Sequence, residues 1–295
     1  MTRRDFAACL AGVAAAASPP AIRLHASNYG MQTLPAADAL AVIRDVGYDG
    51  MELCAMPDWP SAPARLFDSA RRALRASGFP FPTIIDAFHL LAPEAEHAAA
   101  LGRIHADAQL AHDISPERPP LLQTVLGGRP GQWPAVRARM AARLAEWARA
   151  AHEARITLAV KAHANQAVDT PDKLLALLDD VRHPALAPIY DYSHFQLRGL
   201  AMAATMEALL PRAAFLTVKD SRVSGGKAEF LLPGQGSIDY LEYFRLVKQK
   251  GWRGWVLVEV SRQLQTQPGY DGARAAAMAY AHLAPILRDL GLRGA

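Results

Sequence analysis

Cysteine is nearly missing from this chain: among 295 residues there are two, Cys9 and Cys54. A disulfide framework is therefore not what holds the fold together. Charge of one sign is also scarce in excess, with 32 Lys and Arg against 28 Asp and Glu. The arginines are spread along amphipathic segments instead of gathering into a block, so no nucleic-acid partner is implied. The apolar run Ala7 to Ala17 is too short to span a bilayer, and no stable membrane anchor is expected. No low-complexity linker and no helix-scale repeat divides the sequence. What is present in quantity is hydrophobic side chain, 51% of residues, enough to bury one large core. The length suits a single barrel of roughly 250 residues and leaves no room for a second full domain.

At the start, Thr2-Arg3-Arg4-Asp5-Phe6 precedes the apolar run, and Ser18-Pro19-Pro20 breaks it. An arginine pair, an apolar stretch and the small residues Ala15 and Ala17, in that order, read as a twin-arginine signal over residues 1–21 with cleavage near Ala17. Residues 22–295 then form the mature domain. The expected location is periplasmic or secreted, and the export machinery is an expected partner. Cleavage leaves Cys54 alone, read as a small buried residue at a strand end.

Beyond the signal, short β-type runs alternate with longer helical patterns, the signature of parallel strands joined by crossover helices. Strands are expected at Ile22–Ser27, Gly50–Cys54, Phe81–Ala87, Leu121–Leu126, Thr157–His163, Ala187–Tyr192, Ala214–Lys219 and Trp255–Val260. Helices are expected at Pro35–Val46, Ala62–Ala76, Pro93–His112, Trp133–Ala154, Pro171–Val181, Met202–Leu210, Ile238–Lys250 and Gly272–Leu290. Thr170-Pro171 is a cap followed by proline at the first helical position, and Gly47, Gly78 and Gly251 sit where helices end. Eight of each argue for closure into an α/β (β/α)8 TIM barrel.

Chemistry in such a barrel collects at the C-terminal ends of the strands, so the polar residues there are the ones to examine. They are Glu52, Asp86 and His89, Lys161 and His163, Asp191 with Ser193 and His194, Lys219 with Asp220, and Glu259 followed by Ser261, Arg262 and Gln263. One such residue is ordinarily a solvated loop group or a cap. Lys161 and Glu259, however, follow the apolar runs Leu158-Ala159-Val160 and Val256-Leu257-Val258, and charges carried inward that way must be paired or functional.

Several fragments, in this order and spacing, resemble the xylose isomerase-like superfamily of sugar isomerases, epimerases and keto-sugar lyases. They are Gly47-Tyr48-Asp49-Gly50-Met51-Glu52-Leu53, Asp191-Tyr192-Ser193-His194, Val218-Lys219-Asp220, Gly234-Gln235-Gly236-Ser237-Ile238-Asp239, and Gly251-Trp252-Arg253-Gly254 with Glu259. The resemblance implies a divalent metal held by a glutamate, an aspartate, a histidine and a glutamate from the fifth to eighth strands. Asp191 and Glu259 match that metal set, whereas Lys161 and Thr217 stand at the other two positions. An ammonium about 4 Å from a divalent ion is repelled by roughly 8 kcal/mol at an effective dielectric near 20. A metal cofactor is accordingly disfavoured, and Lys161 is expected to replace the ion between Asp191 and Glu259, facing the substrate.

The implied substrate is a small carbohydrate, and the shared demanding step is removal of a proton next to a carbonyl. Lys161, His194, Glu259 and Glu52 are the catalytic candidates, Lys161 in an electrostatic role and Glu259 or His194 in proton transfer. His89, His163, Asp191, Lys219, Arg262 and Gln263 are the substrate-binding candidates. Lys219 and Asp220 also read as a simple ion pair. Ser261–Tyr270, with Gln263, Gln265 and Gln267, reads as a hydrogen-bonding lid, and Trp133, Tyr192, Phe195 and Tyr270 as faces for a sugar ring. Two other readings compete: a barrel that only binds carbohydrate, and a nuclease of the endonuclease IV branch, which needs a zinc cluster with more histidines.

Overall fold

The computed structural model describes residues 20–294 apart from 63, 64 and 66. The expected export signal and Cys9 lie almost wholly outside the described residues. Eight parallel strands close into a barrel: β1 (Ile22–Ser27), β2 (Gly50–Cys54), β3 (Thr83–Ile85), β4 (Leu121–Thr124), β5 (Leu158–Val160), β6 (Leu186–Asp191), β7 (Phe215–Val218) and β10 (Gly254–Val258). β1 closes the ring by pairing with β2 on one side and β10 on the other. Between β7 and β10 stands an antiparallel hairpin, β8 (Asp220–Ser224) and β9 (Lys227–Leu231), which the sequence reading did not anticipate.

All eight expected barrel strands are present, several of them shorter than expected. The third keeps only Thr83–Ile85, because Pro80 and Pro82 have no N–H to give the ladder. The expected helices are found as α1 (Ala36–Val46), α2 (Asp68–Ala76), α3 (Glu94–Ile114), α4 (Trp133–Glu153), α5 (Pro171–Val181), α7 (Met202–Leu209), α8 (Tyr240–Gln249) and α10 (Gly272–Asp289). Short helices α6 (Tyr192–Gln196) and α9 (Arg262–Gln265) follow β6 and β10. Thr170 caps α5 by accepting from Lys173 N, and Gly47 ends α1 in the left-handed region at φ +106°. Among the described residues no helix is long and apolar enough to cross a membrane.

Side chains alternate across a strand, so each barrel strand presents one set to the surrounding helices and the other to the interior. Ala159, Ile189, Phe215 and Leu257 meet inside as a small apolar plug, separate from the large core beneath the helices. Further along the same faces stand Lys161, Asp191, Thr217 and Glu259, each two residues on, and Lys219, four on from Phe215. The pleat therefore lifts a charged tier directly over an apolar one.

Candidate active site

Four charges from four strand ends meet on that tier. Lys161 Nζ lies 3.2 Å from Asp191 Oδ2 and 2.5 Å from Glu259 Oε2. Lys219 Nζ lies 2.5 Å from Asp191 Oδ2 and 2.8 Å from Glu259 Oε1. All four residues are buried. Burial alone disfavours a charge, but at Glu259, Asp191 and Lys161 the opposite charges outweigh it. Against that desolvation, Lys161 and Lys219 hold Glu259 down to about 2, and Lys219 and Lys161 hold Asp191 well below the carboxylate range. Burial is likewise overcome at Lys161, where Glu259 and Asp191 raise the ammonium above its ordinary value. Asp191 is fixed further by Ser193, whose Oγ donates to Oδ1 at 2.6 Å.

Above the quartet opens a cavity of about 620 Å³ whose lining includes Lys219, Glu259, His163, His194, Arg198 and Arg262. Lys161 sits between the two carboxylates as expected, but it does not line the cavity; Lys219 does. An ammonium has three donors, and Lys219 gives two to Asp191 and Glu259, leaving one for a ligand oxygen. His194 accepts at Nδ1 from Ala164 N (3.4 Å), which places its proton on Nε2, 3.6 Å from Asp191 Oδ2. Its ring lies 4.3 Å from that of His163 and 5.0 Å from Phe230, between centroids. Burial, with the nearby lysines, pushes both imidazoles down, His163 to about 3, so both are neutral.

Glu52 is fully buried on β2 and outside the cavity lining. Its Oε2 accepts from Thr83 Oγ1 (2.9 Å) and from Gln123 Nε2. Burial, with only neutral hydrogen-bond partners nearby and a push from Glu259, raises it to about 7.

Other expected roles change. Asp220 is not the partner of Lys219: its carboxylate accepts from Ser221 N, Gly234 N and Ile238 N at 2.8–3.0 Å, which clasps the 232–238 loop. This explains Gly236 in the Gly234-to-Asp239 motif, since a Cβ there would lie 2.3 Å from Asp220 Oδ1. Asp86 is engaged by Arg65 (2.8 Å) and Arg103 and so is turned to structure. His89 is exposed and packs beside Gly127, away from the cavity lining. Gln263 lines the cavity, yet its amide is spent on Phe230 N (2.7 Å) and Ala228 O (3.3 Å), fastening the hairpin. Gln265 and Gln267 are likewise spent on Val260 O and Gln263 O, so the segment is bonded inward and not a free lid. Phe195 is core, and Tyr192 and Tyr270 donate to Leu200 O and Gly30 O. Trp133 packs against the core beneath Arg137, and the aromatic faces offered to the cavity are those of Tyr29 and Phe230.

The residues present do not fit a divalent ion. Asp191 and Glu259 already have their oxygens on two ammoniums, and an ammonium has no lone pair to offer. Thr217 contributes only a buried hydroxyl without a partner. Among the described residues no group of three or more His, Cys, Asp or Glu is placed to hold a metal ion.

Comparison with known proteins adds the lineage. Residues 40–284 match the family model of the xylose isomerase-like TIM barrel. Over an alignment 77 residues long, which covers 21% of this chain and 26% of that protein's length, the chain is 35% identical to an inosose dehydratase of Yersinia enterocolitica. In fold, the chain is similar to a 3-keto-D-glucoside 4-epimerase from E. coli, with a TM-score of 0.71 and 13% identity over 90% of this chain and 99% of that one. It is also similar to the IOLI protein solved with a zinc atom, with a TM-score of 0.73 and 16% identity over 90% of this chain and 98% of that one.

Proposed function

This chain belongs to the xylose isomerase-like TIM barrel family, and from that membership we propose that it is an isomerase, epimerase or lyase of a keto-sugar, working by proton removal next to a carbonyl. The observation that carries the reading is the quartet: two ammoniums locked between two carboxylates, with Lys219 and Glu259 reaching the cavity. Two lysines carry the same charge as a divalent cation, held in place without one.

In this mechanism the ketone oxygen takes the third donor of Lys219 and competes for the two already engaged. As negative charge grows on that oxygen, Lys219 shifts its hydrogen bonding toward it, and Lys161 keeps the carboxylates charged and fixed. Glu259 Oε1, relieved of its lysine, becomes a stronger base and accepts the α-proton; returning it to the neighbouring atom gives isomerisation, and a proton delivered to the opposite face by a second donor gives epimerisation. Loss of a β-hydroxyl instead gives elimination. The neutral His194, carrying its proton on Nε2, can donate to a leaving or carbonyl oxygen.

A second reading, carbohydrate binding without turnover, is favoured by one observation: both imidazoles and both carboxylates of the quartet are weak bases in the resting state. Wash-in of solvent deuterium at the α-carbon of a panel of keto-sugars and keto-sugar acids, followed by proton NMR, separates the two. Exchange above the uncatalysed rate is expected; binding with no exchange across the panel establishes the second reading.

A further inference from the structure

The quartet is electrically balanced, Lys161 and Lys219 against Asp191 and Glu259, so the field felt by a ligand is set by the charges around it. Among the described residues, the remaining charged side chains lining the cavity are Arg198 and Arg262, and no further carboxylate lines it. Arg198 meets Asp169 through Nε at 3.2 Å, and that carboxylate is shared with Lys173 at 2.5 Å. One negative charge thus serves two cations, and the Arg198 side chain remains 44% exposed. Arg262 has no carboxylate within ion-pair distance among the described residues; its guanidinium lies 5.6 Å from the Trp59 ring centroid. A solvated rim needs no such arrangement, but two arginines with half a counter-charge between them, on one cavity, have spare donors suited to an anion.

We infer that the sugar taken by this cavity is an anion, bearing a carboxylate or a phosphate ester that Arg198 and Arg262 receive while its polyol end rests on Lys219 and the histidine pair. The inference rests on the cavity being the carbohydrate site, as in the reading above, and not on any turnover. It names a substrate class and two specificity-determining residues.

Calorimetric titration with D-glucuronate, D-glucose 6-phosphate and D-glucose tests it. The sugar acid or the phosphate ester should bind about tenfold more tightly than glucose, the order of effect expected for added charge-assisted hydrogen bonds. Whichever of the two is preferred identifies the anionic group. The preference should shrink as salt is raised, since rim charges are screened within roughly 8 Å at physiological ionic strength. In a folded Arg198→Gln/Arg262→Gln variant, confirmed by circular dichroism, the preference should vanish. Equal affinity for all three sugars, a preference that survives the double variant, or no binding of either anion overturns the inference. Failure of the deuterium exchange with the anion preference intact would strike the catalytic reading and leave this one standing.

Discussion

Two glutamates inside one barrel show what burial does and does not decide. Glu52 and Glu259 are both buried, on opposite neighbours of β1 in the closed ring. The wall carrying Glu52 offers it a hydroxyl and an amide, and the group is raised to about 7. The wall carrying Glu259 offers it two ammoniums, and it is lowered to about 2. Desolvation is the largest influence on both, yet the shifts have opposite signs because only one wall returns a counter-charge. One side of the barrel is thus a neutral hydrogen-bonded lining and the other a fixed array of charges.

The contrast is broken most severely by removing a lysine. Lys219→Met leaves two buried carboxylates sharing one ammonium, and breaking a buried pair in this way costs about 3–5 kcal/mol of stability. With the cavity-facing donor gone, deuterium exchange should fall by about 100-fold or more. Lys161→Met should lose comparable stability. Urea unfolding measures the first quantity and NMR exchange the second; a variant as stable and active as the parent would show that the quartet holds neither fold nor substrate.

Next in size is the response to pH, where the two glutamates act in opposite directions. Glu52 has a raised folded value, so the stability it confers is present below its unfolded value of about 4.5 and is lost as pH rises to about 7, on the order of 3 kcal/mol. Glu259 has a depressed folded value, so its contribution is present above about 4.5 and is lost as pH falls toward about 2, by a similar amount. Their sum peaks near pH 4.5. Urea midpoints across this range should lose the alkaline slope in Glu52→Gln and the acid slope in Glu259→Gln; unchanged slopes would show that the walls do not differ as described.

The smallest expected effect is that of a chelator. Extensive treatment with EDTA should change exchange by less than about twofold, and full loss restored by added zinc or manganese would show that the charged wall needs an ion after all.

How far the sequence foretold this depends on whether the signal was local. The α5 boundaries match because Thr170-Pro171 marks the start, and β1 and β2 match because their apolar residues are bracketed by turn residues. The meeting of Lys161, Asp191 and Glu259 was legible through the family resemblance, which sets all three at ligand positions of one site. The place of Lys219 in the quartet and the clasp made by Asp220 were not, because neighbours in sequence point to opposite sides of a strand and their partners lie 28 and 14–18 residues away. The Arg65 and Arg103 contacts of Asp86 likewise come from residues 21 and 17 positions away. The hairpin had a readable signal that went unused: Gly225-Gly226 between two extended runs, both at positive φ. Reading it would have brought Phe230 to the cavity mouth.

Asp220 follows Lys219 directly and anchors, through one carboxylate, the loop that returns the chain to α8. The lysine is consequently indexed from two sides, by the sheet before it and by this knot after it. Lengthening or shortening the turn from Leu232 to Ile238 would therefore retune the charged quartet from a distance, and the hairpin cannot be exchanged for another as an independent module.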